Sequence, residues 1–319
     1  MTAIPSAKLV SIFGGSGFIG RHVVRVLARD GWRVRVGVRH PNTANFLRPM
    51  GRVGQIQIVR ANLRKSDDLA LMLRDADAVI NLVGILYESG AQRFQALHAE
   101  AAGALARAAA EHRVARLIHF SALGANPESA SVYARSKAEG EKRVREAFPE
   151  ATIIRPSIVF GPEDDFFNRF AQLARISPVL PLIGGGHTRF QPVYVRDVAE
   201  AIAVALNDIR AVGTTYEFGG PEIMTLKQVM QLVLHETRRK RALLNVPFGM
   251  ARFQGALLGL LPKPLLTSDQ VRLLQSDNVV SGGAPGLIDL GISPTAAEAI
   301  VPAYLWRFRK TGEFEVASP

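Results

Sequence analysis

The sequence predicts an α/β protein: a doubly wound parallel sheet with helices on both faces, and a smaller, mostly helical C-terminal annex. Three observations predict it. Short apolar runs alternate with segments of helical period through the first half of the chain. A glycine-rich turn joins the first such run to the first helical segment. Beyond Pro156 the alternation gives way to loops marked by Gly161-Pro162, Pro178, Pro181 and Gly184-Gly185-Gly186.

Residues 8–13 read as a buried first strand. After the turn, Ile19, Val23, Val26 and Leu27 recur at helical spacing until Gly31 ends the helix. Residues 33–38 and 55–59 are the second and third strands. Ser66, followed by Asp67 and Asp68, has the pattern of an N-cap with acids in the first helical turn. The fourth strand is 78–83, an alanine-rich helix runs over 93–111, and 117–120 is the fifth strand. A helix over 133–147 and a sixth strand over 152–155 complete the regular part. Later, 193–197 reads as a strand running into a helix capped by Asp197, and 214–218 as a strand returning to the main sheet. The predicted division is a nucleotide-binding domain of 1–160 plus about 189–220, and an annex of 161–188 plus 221–319.

With 319 residues, 48% hydrophobic and 21% charged, the chain can bury a large core and is not of disordered composition. No apolar run approaches the roughly 18 residues of a membrane-spanning helix. The first residues lack a basic region followed by an apolar core, and the first strand begins almost at once, so neither a secretory signal nor a transit peptide is expected. The absence of cysteine excludes disulfides, thiolate metal sites and cysteine nucleophiles, and points to a cytoplasmic, reducing compartment. The seven histidines show no metal-binding spacing, so no metal is expected. The net charge of +11 suits either simple solubility or attraction to a polyanion. Apart from Arg238-Arg239-Lys240-Arg241 the basic residues are scattered, with no aromatic-interleaved stripe. That argues against nucleic acid and for an acidic partner or an anionic membrane surface.

Gly14, Gly17 and Gly20 are spaced G-x-x-G-x-x-G, and Gly15, Gly17 and Gly20 also satisfy G-x-G-x-x-G. Set between a strand and an amphipathic helix, the turn reads as a Rossmann-type dinucleotide site. Its backbone, with Ser16, Phe18 and Ile19, approaches the pyrophosphate at the helix N-terminus. The end of the second strand selects the cofactor. An NAD site places a carboxylate there for the ribose 2′-hydroxyl, whereas this chain has Val36-Gly37-Val38-Arg39-His40. Arg39 can form charge-assisted bonds to a 2′-phosphate, which favours NADP(H) over NAD(H). Arg21 is a further cation of the first helical turn. Asn62, with Leu63, follows the third strand where adenine is met.

Tyr133 and Lys137 stand at i and i+4 on one helix face. A cation beside a phenol lowers its pKa and suits it to proton transfer at a carbonyl or alcohol. Lys137 can also hold the nicotinamide ribose, and Ser121, at the end of the fifth strand, can orient a substrate oxygen. Ser121, Tyr133 and Lys137 are therefore the candidate catalytic residues, and Tyr133 and Lys137 candidate cofactor contacts as well. His119, two residues before Ser121, reads as an ordinary strand histidine or a cofactor contact.

On these motifs the chain resembles a short-chain dehydrogenase/reductase of the extended or atypical type. Asn81-Leu82-Val83-Gly84 resembles that family's fourth-strand segment, which implies that Leu82, Val83 and Gly84 line the cofactor. Residues 155–162 resemble the segment passing under the nicotinamide, which implies contacts from Pro156 and Ile158. Within the family the chain is similar to the nucleotide-binding accessory subunit of respiratory complex I and its bacterial relatives. That similarity rests on residues 47–51, 161–164, 191–197 and 285–292. It implies a tightly held NADPH with a structural or redox-sensing role near a quinone-reducing arm. It also implies respiratory complex I or a quinone-related assembly as partner, with peripheral contact at the inner face of the cytoplasmic membrane. The retained Ser121, Tyr133 and Lys137 leave a second reading open, an NADPH-dependent reductase of a hydrophobic carbonyl, quinone- or sterol-like. A sugar-nucleotide epimerase or dehydratase is a third, disfavoured by the missing acid after the second strand.

Two further stretches stand out. Glu163-Asp164-Asp165 reads as a solvated loop, or else as a substrate contact. Residues 248–261 mix Phe248, Met250, Phe253, Leu257, Leu258 and Leu261 with Arg252, a stretch that packs on its own domain or faces a membrane or apolar partner.

Overall fold

The computed structural model describes residues 7–259, 261–262, 264–310 and 312. Residues 1–6, read above for targeting, and Leu260 of the apolar stretch lie outside the described residues. Two compact units are present. The first takes the chain to Arg155, then Val198–Glu217 and Ala284–Ile292; the second holds Pro156–Asp197, Phe218–Gly283 and the residues from Ser293 onward. The sequence reading leaves 284–292 in the annex, yet the Glu217 N–H donates to Pro285 O at 2.9 Å, beside the last strand of the main sheet.

In chain order the elements begin with β1 (Leu9–Phe13), α1 (Phe18–Arg29), β2 (Arg33–Val38), β3 (Ile56–Arg60), α2 (Ser66–Leu73) and β4 (Ala78–Asn81). A π-helical turn (Gln95–Glu100) leads into α3 (Ala101–Glu111), followed by β5 (Arg116–Phe120), α4 (Val132–Ala147) and β6 (Thr152–Pro156). The chain then enters the second unit with β7 (Val159–Phe160), α5 (Phe167–Ile176), β8 (Val179–Ile183), β9 (Arg189–Phe190) and β10 (Val193–Tyr194). Helix α6 (Val195–Asn207) returns it to the first unit, where β11 (Thr215–Phe218) follows as the last strand of the main sheet. The remaining elements are β12 (Met224–Thr225), α7 (Leu226–Glu236), β13 (Ala242–Val246), α8 (Phe248–Leu258), α9 (Ser268–Leu273), α10 (Ala297–Ile300) and α11 (Pro302–Leu305).

The first unit is built on a seven-stranded sheet in the order β11-β6-β5-β4-β1-β2-β3. Its ladders are parallel, with Val10 opposite Val34 on one side and Ala78 on the other. Strand β11 joins as read from the sequence: Ile153 N–H donates to Thr214 O and Ser157 N–H to Phe218 O, so both strands run the same way. One face carries Phe13, Val79, Leu117 and Ile153, buried against Met72, Leu105 and Val144 from α2, α3 and α4. Each such side chain contributes roughly 1.5–3 kcal/mol on burial. Because strand side chains alternate, Asn81, His119 and Ser121 continue that face at the carboxyl ends of β4 and β5. All three are buried.

Four local expectations change. Strand β4 stops at Asn81, not 83, because the Asn81 side chain accepts the Val83 N–H at 3.1 Å and bends the chain out of the ladder. Ser66 is the first residue of α2 rather than its cap; Lys65 holds the cap position, and Asp68 instead accepts the Asn62 N–H at 2.8 Å. The helix read over 93–111 is split by the π-helical turn. Asp197 lies within the first turn of α6, where its carboxylate takes the N–H (2.7 Å) and hydroxyl (3.1 Å) of Thr295.

The second unit combines helices with short strand pairs: β7 with β10, β9 with β12, and β8 with β13. Its core gathers Leu180, Leu182, Phe190, Leu226 and Met230. The acidic run at 163–165 is not the solvated loop expected, because its middle member is buried. Asp164 accepts N–H groups from Gly161, Phe166 and Asn168, and the Tyr304 hydroxyl at 2.7 Å. Two members of the basic run are likewise internal clamps: Arg239 donates to Phe308 O and Arg241 to Ala174 O. Among the described residues no helix is long and apolar enough to cross a membrane.

The Asp164–Tyr304 bond ties a loop at the start of this unit to its C-terminal helices. Tyr304→Phe is expected to lower the unfolding free energy in urea by about 1–3 kcal/mol, the worth of a buried bond to a carboxylate. An unchanged midpoint would show that the bond carries no load.

Candidate functional site

Strand β1 delivers the chain into a turn that side chains cannot enter. Gly14 has φ +82°, and a Cβ there would lie 2.9 Å from the Leu82 carbonyl carbon and 3.1 Å from the Val83 nitrogen. A Cβ on Gly20 would lie 2.2 Å from Gly14 O, because the turn folds back on the first turn of its own helix. Gly17 occupies the cap position of α1 with no side-chain cap, so the first N–H groups and the positive helix end are left for an anion. Around them Ser16, Phe18 and Ile19 are half-buried and Gly17 exposed. Arg21 turns back, donating to Gly17 O and lying 4.8 Å from the Phe46 ring centroid.

At the ends of β2 and β3 a shallow pocket is lined by Arg39, His40, Pro41, Asn42 and Arg60. Asn62 makes a local turn, its side-chain oxygen accepting the Arg64 N–H at 3.1 Å. Leu63 is buried in the core beside Phe13 and Leu69, so its side chain is a packing element. Pro156 and Ile158 belong to the second unit, where Ile158 packs against that unit's core.

A buried polar cluster lies under the N-terminal half of α4. The Ile85 N–H donates to His98 Nε2 at 3.1 Å, so His98 carries its proton on Nδ1 and donates to Ser136 Oγ at 2.9 Å. Ser136 in turn donates to Tyr133 O at 2.7 Å. The rings of Phe94, His98 and Tyr133 pack mutually, Phe94 stacked on His98 at 5.4 Å and Tyr133 edge-on to both. Lys137 Nζ donates to Phe120 O at 3.2 Å and stands 5.9 Å from the Tyr133 ring centroid. A Cβ on Gly84 would sit 3.5 Å from that ammonium and 3.9 Å from His98 Nε2. The glycine turn, Leu82 to Gly84, and Lys137 are thus consecutive neighbours.

Two groups in this cluster are open. Asn81 uses its oxygen for the Val83 N–H, so its amide nitrogen donates to His119 Nδ1 at 3.2 Å. His119 therefore presents an N–H at Nε2, and that atom and Ser121 Oγ are buried without a hydrogen-bond partner among the described residues. Buried donors left unpaired are costly, and a ligand oxygen in reach of them is the natural remedy.

The phenol does not behave as the i, i+4 pattern suggests. Burial pushes Tyr133 up to about 12, and the Lys137 cation does not reverse this although the ring is only half-buried. Lys137 is itself lowered to about 8 by burial, with Glu141 opposing. Burial thus favours the neutral phenol over the phenolate at Tyr133. His98, Ser136 and Arg60 escape the sequence reading: no fixed spacing links them to the other residues, and a π-helical turn has no sequence signature.

Among proteins of known family, residues 10–219 match the model of the NAD dependent epimerase/dehydratase family. The chain is 35% identical over 319 residues to the mitochondrial NADH dehydrogenase [ubiquinone] 1 alpha subcomplex subunit 9 of Arabidopsis thaliana, covering 96% of this chain and 79% of the relative. It is 33% identical over 266 residues to the ceramide reductase of Caulobacter vibrioides, covering 80% of this chain and 79% of the relative. A dTDP-glucose 4,6-dehydratase from Streptomyces venezuelae, solved with NAD bound, superposes with a TM-score of 0.71 at 21% identity, over 94% of this chain and 96% of that one. The chain belongs to the NAD dependent epimerase/dehydratase family.

The histidine tautomers can be tested directly. Burial, and secondarily the Lys137 charge, holds His98 at about 2 and His119 at about 3, against an ordinary 6.5. The unfolded chain then binds protons that the folded chain excludes, so the stabilising contribution is complete above pH 6.5. It is lost as the pH falls below that value, by up to about 1.4 kcal/mol per pH unit for each ring. Imidazole nitrogen NMR from pH 8 to 5 should show both rings neutral, His98 protonated on Nδ1 and His119 on Nε2. Titration of either ring near 6.5, or the opposite tautomers, would contradict the cluster.

Proposed function

We propose that this member of the NAD dependent epimerase/dehydratase family binds NADP(H), and that the nucleotide serves mainly as a structural or redox-sensing ligand in a respiratory or quinone-related assembly. The observation that carries the cofactor half is the end of β2, where Arg39 lines an exposed pocket without any carboxylate. The turn Gly14–Gly20 and the uncapped end of α1 would take the pyrophosphate. The chain segment at Leu82, Val83 and Gly84 would meet the nicotinamide ribose beside Lys137. Asn62 would border the adenine with its amide, and Leu63 would act only through its backbone.

One observation supports a binding role over turnover. The relative from Arabidopsis thaliana is named as a subunit of NADH dehydrogenase. The partner would then be complex I or a quinone-related assembly, with the protein peripheral on the inner face of the membrane. Helix α8 supports that placement: Met250, Phe253 and Leu257 recur at i, i+3 and i+7, each more than half exposed, and Ala251 and Gly255 turn inward.

A second reading is favoured by the open His119 N–H and Ser121 hydroxyl, and by the relative named ceramide reductase. Bound NADPH supplies a hydride. The chain would then hold a hydrophobic carbonyl through Ser121 and give its oxygen a proton from Tyr133, with the Lys137 cation stabilising the phenolate left behind.

Protein purified without added cofactor should carry NADPH, identified by mass spectrometry, and NADPH should raise the melting temperature of stripped protein. Nucleotide-free protein with no such shift would sink the proposal. Tyr133→Phe should leave NADPH binding within about 3-fold, since the phenol contributes at most about one ordinary hydrogen bond. Loss of measurable ketone reduction in that variant would move the assignment to the second reading.

A further inference from the structure

Arg39 and Arg60 line the same pocket. Strands β2 and β3 are neighbours in parallel register with Val38 opposite Arg60, and Arg39 follows one residue beyond that pair. Arg60 is the last residue of the edge strand. The pocket's other lining residues, His40, Pro41 and Asn42, bring no carboxylate.

Many arginines of the fold are tied down. Arg155 forks onto Glu141, Arg210 onto Asp208, and Arg35 bonds the carbonyls of Met72 and Arg74. Among the described residues no side-chain hydrogen bond or ion pair engages Arg39 or Arg60. Two guanidiniums at adjacent strand ends repel one another, and a dianion seated between them reverses that. Planar guanidinium forks match phosphate oxygens two at a time, and a phosphate monoester carries close to two charges near neutrality. Asn42 and His40 can add polar donors at the rim.

We propose that Arg60 joins Arg39 in a two-arginine clamp on the 2′-phosphate of NADP(H). Cofactor choice is then shared by the ends of two strands and does not reside in β2 alone. The clamp rests on the reading that the chain holds NADP(H) at the glycine turn. It explains why a basic residue at the end of an edge strand stands without a partner: its counter-ion arrives with the ligand.

The test measures binding by calorimetry of NADPH, NADH, 2′,5′-ADP and 5′-ADP to the full chain, to Arg60→Gln and to Arg39→Gln. Both side chains are exposed, so the variants should fold, which unchanged melting curves would verify. Wild-type protein should prefer NADPH to NADH and 2′,5′-ADP to 5′-ADP. Arg60→Gln should weaken the two 2′-phosphorylated ligands by about 10- to 100-fold, the range of a lost charge-assisted bond, and the other two by less than about 3-fold. If Arg60→Gln keeps the full preference and Arg39→Gln loses it, the clamp is overturned and the NADP(H) reading stands. Equal weakening of all four ligands overturns the clamp as well. A wild-type chain that binds the phosphorylated and unphosphorylated ligands alike overturns both.

Discussion

The backbone of Gly14 rests on the backbone of Leu82 and Val83, with no room for even one carbon between them. Most of the candidate site follows from that contact. It fixes where β4 must leave the sheet, and the Asn81 side chain closes on the Val83 N–H at that point. The same asparagine sets the tautomer of His119 and leaves its Nε2 proton open. Two residues on, Gly84 comes close to Lys137, whose ammonium is held by Phe120 O at the end of β5. A side chain at Gly14 would move the first member of this series, and each later member is positioned by its neighbour. Close backbone packing at β1 thus sets the geometry of a polar cluster carried by α4.

Much of this was legible in the sequence. Strand β2 runs over the residues that the apolar pattern marks, and the remaining strands of the main sheet deviate by one or two residues at one or both ends. The glycine turn was legible because the requirement is steric and only glycine meets it. What escaped depended on tertiary partners. Asp164 looks like part of a solvated acidic run, and only the fold supplies the Tyr304 hydroxyl and three N–H groups that let it be buried. The i, i+4 spacing of Tyr133 and Lys137 was correct, but the inferred effect on the phenol was not. Spacing gives proximity, whereas the pKa is decided by burial, which pushes Tyr133 up. Arg60 carried no signal, because its relation to Arg39 exists only through the parallel register of two strands.

The electrostatics divide the chain's basic residues by role. Arg155, Arg239 and Arg241 spend their charge inside their own units, on carboxylates or carbonyl oxygens. A net charge of +11 therefore does not by itself describe an anion-binding surface. The pocket at the ends of β2 and β3 is different, since no partner among the described residues engages its two guanidiniums. In the polar cluster the logic reverses. Buried near the Lys137 cation, His98 and His119 stay neutral and serve as fixed donors and acceptors. One region presents positive charge and the other orients neutral atoms, a division that fits the proposed phosphorylated dinucleotide.

The central claim is that one ligand engages these regions together. Hydrogen–deuterium exchange of the full chain with and without NADPH tests it most directly. Slowed exchange is predicted jointly in the peptides covering 14–21, 38–42, 59–61 and 82–85, because one bound dinucleotide would shield all four. Protection missing from the glycine-turn peptide, or confined to segments outside these four, would contradict the account.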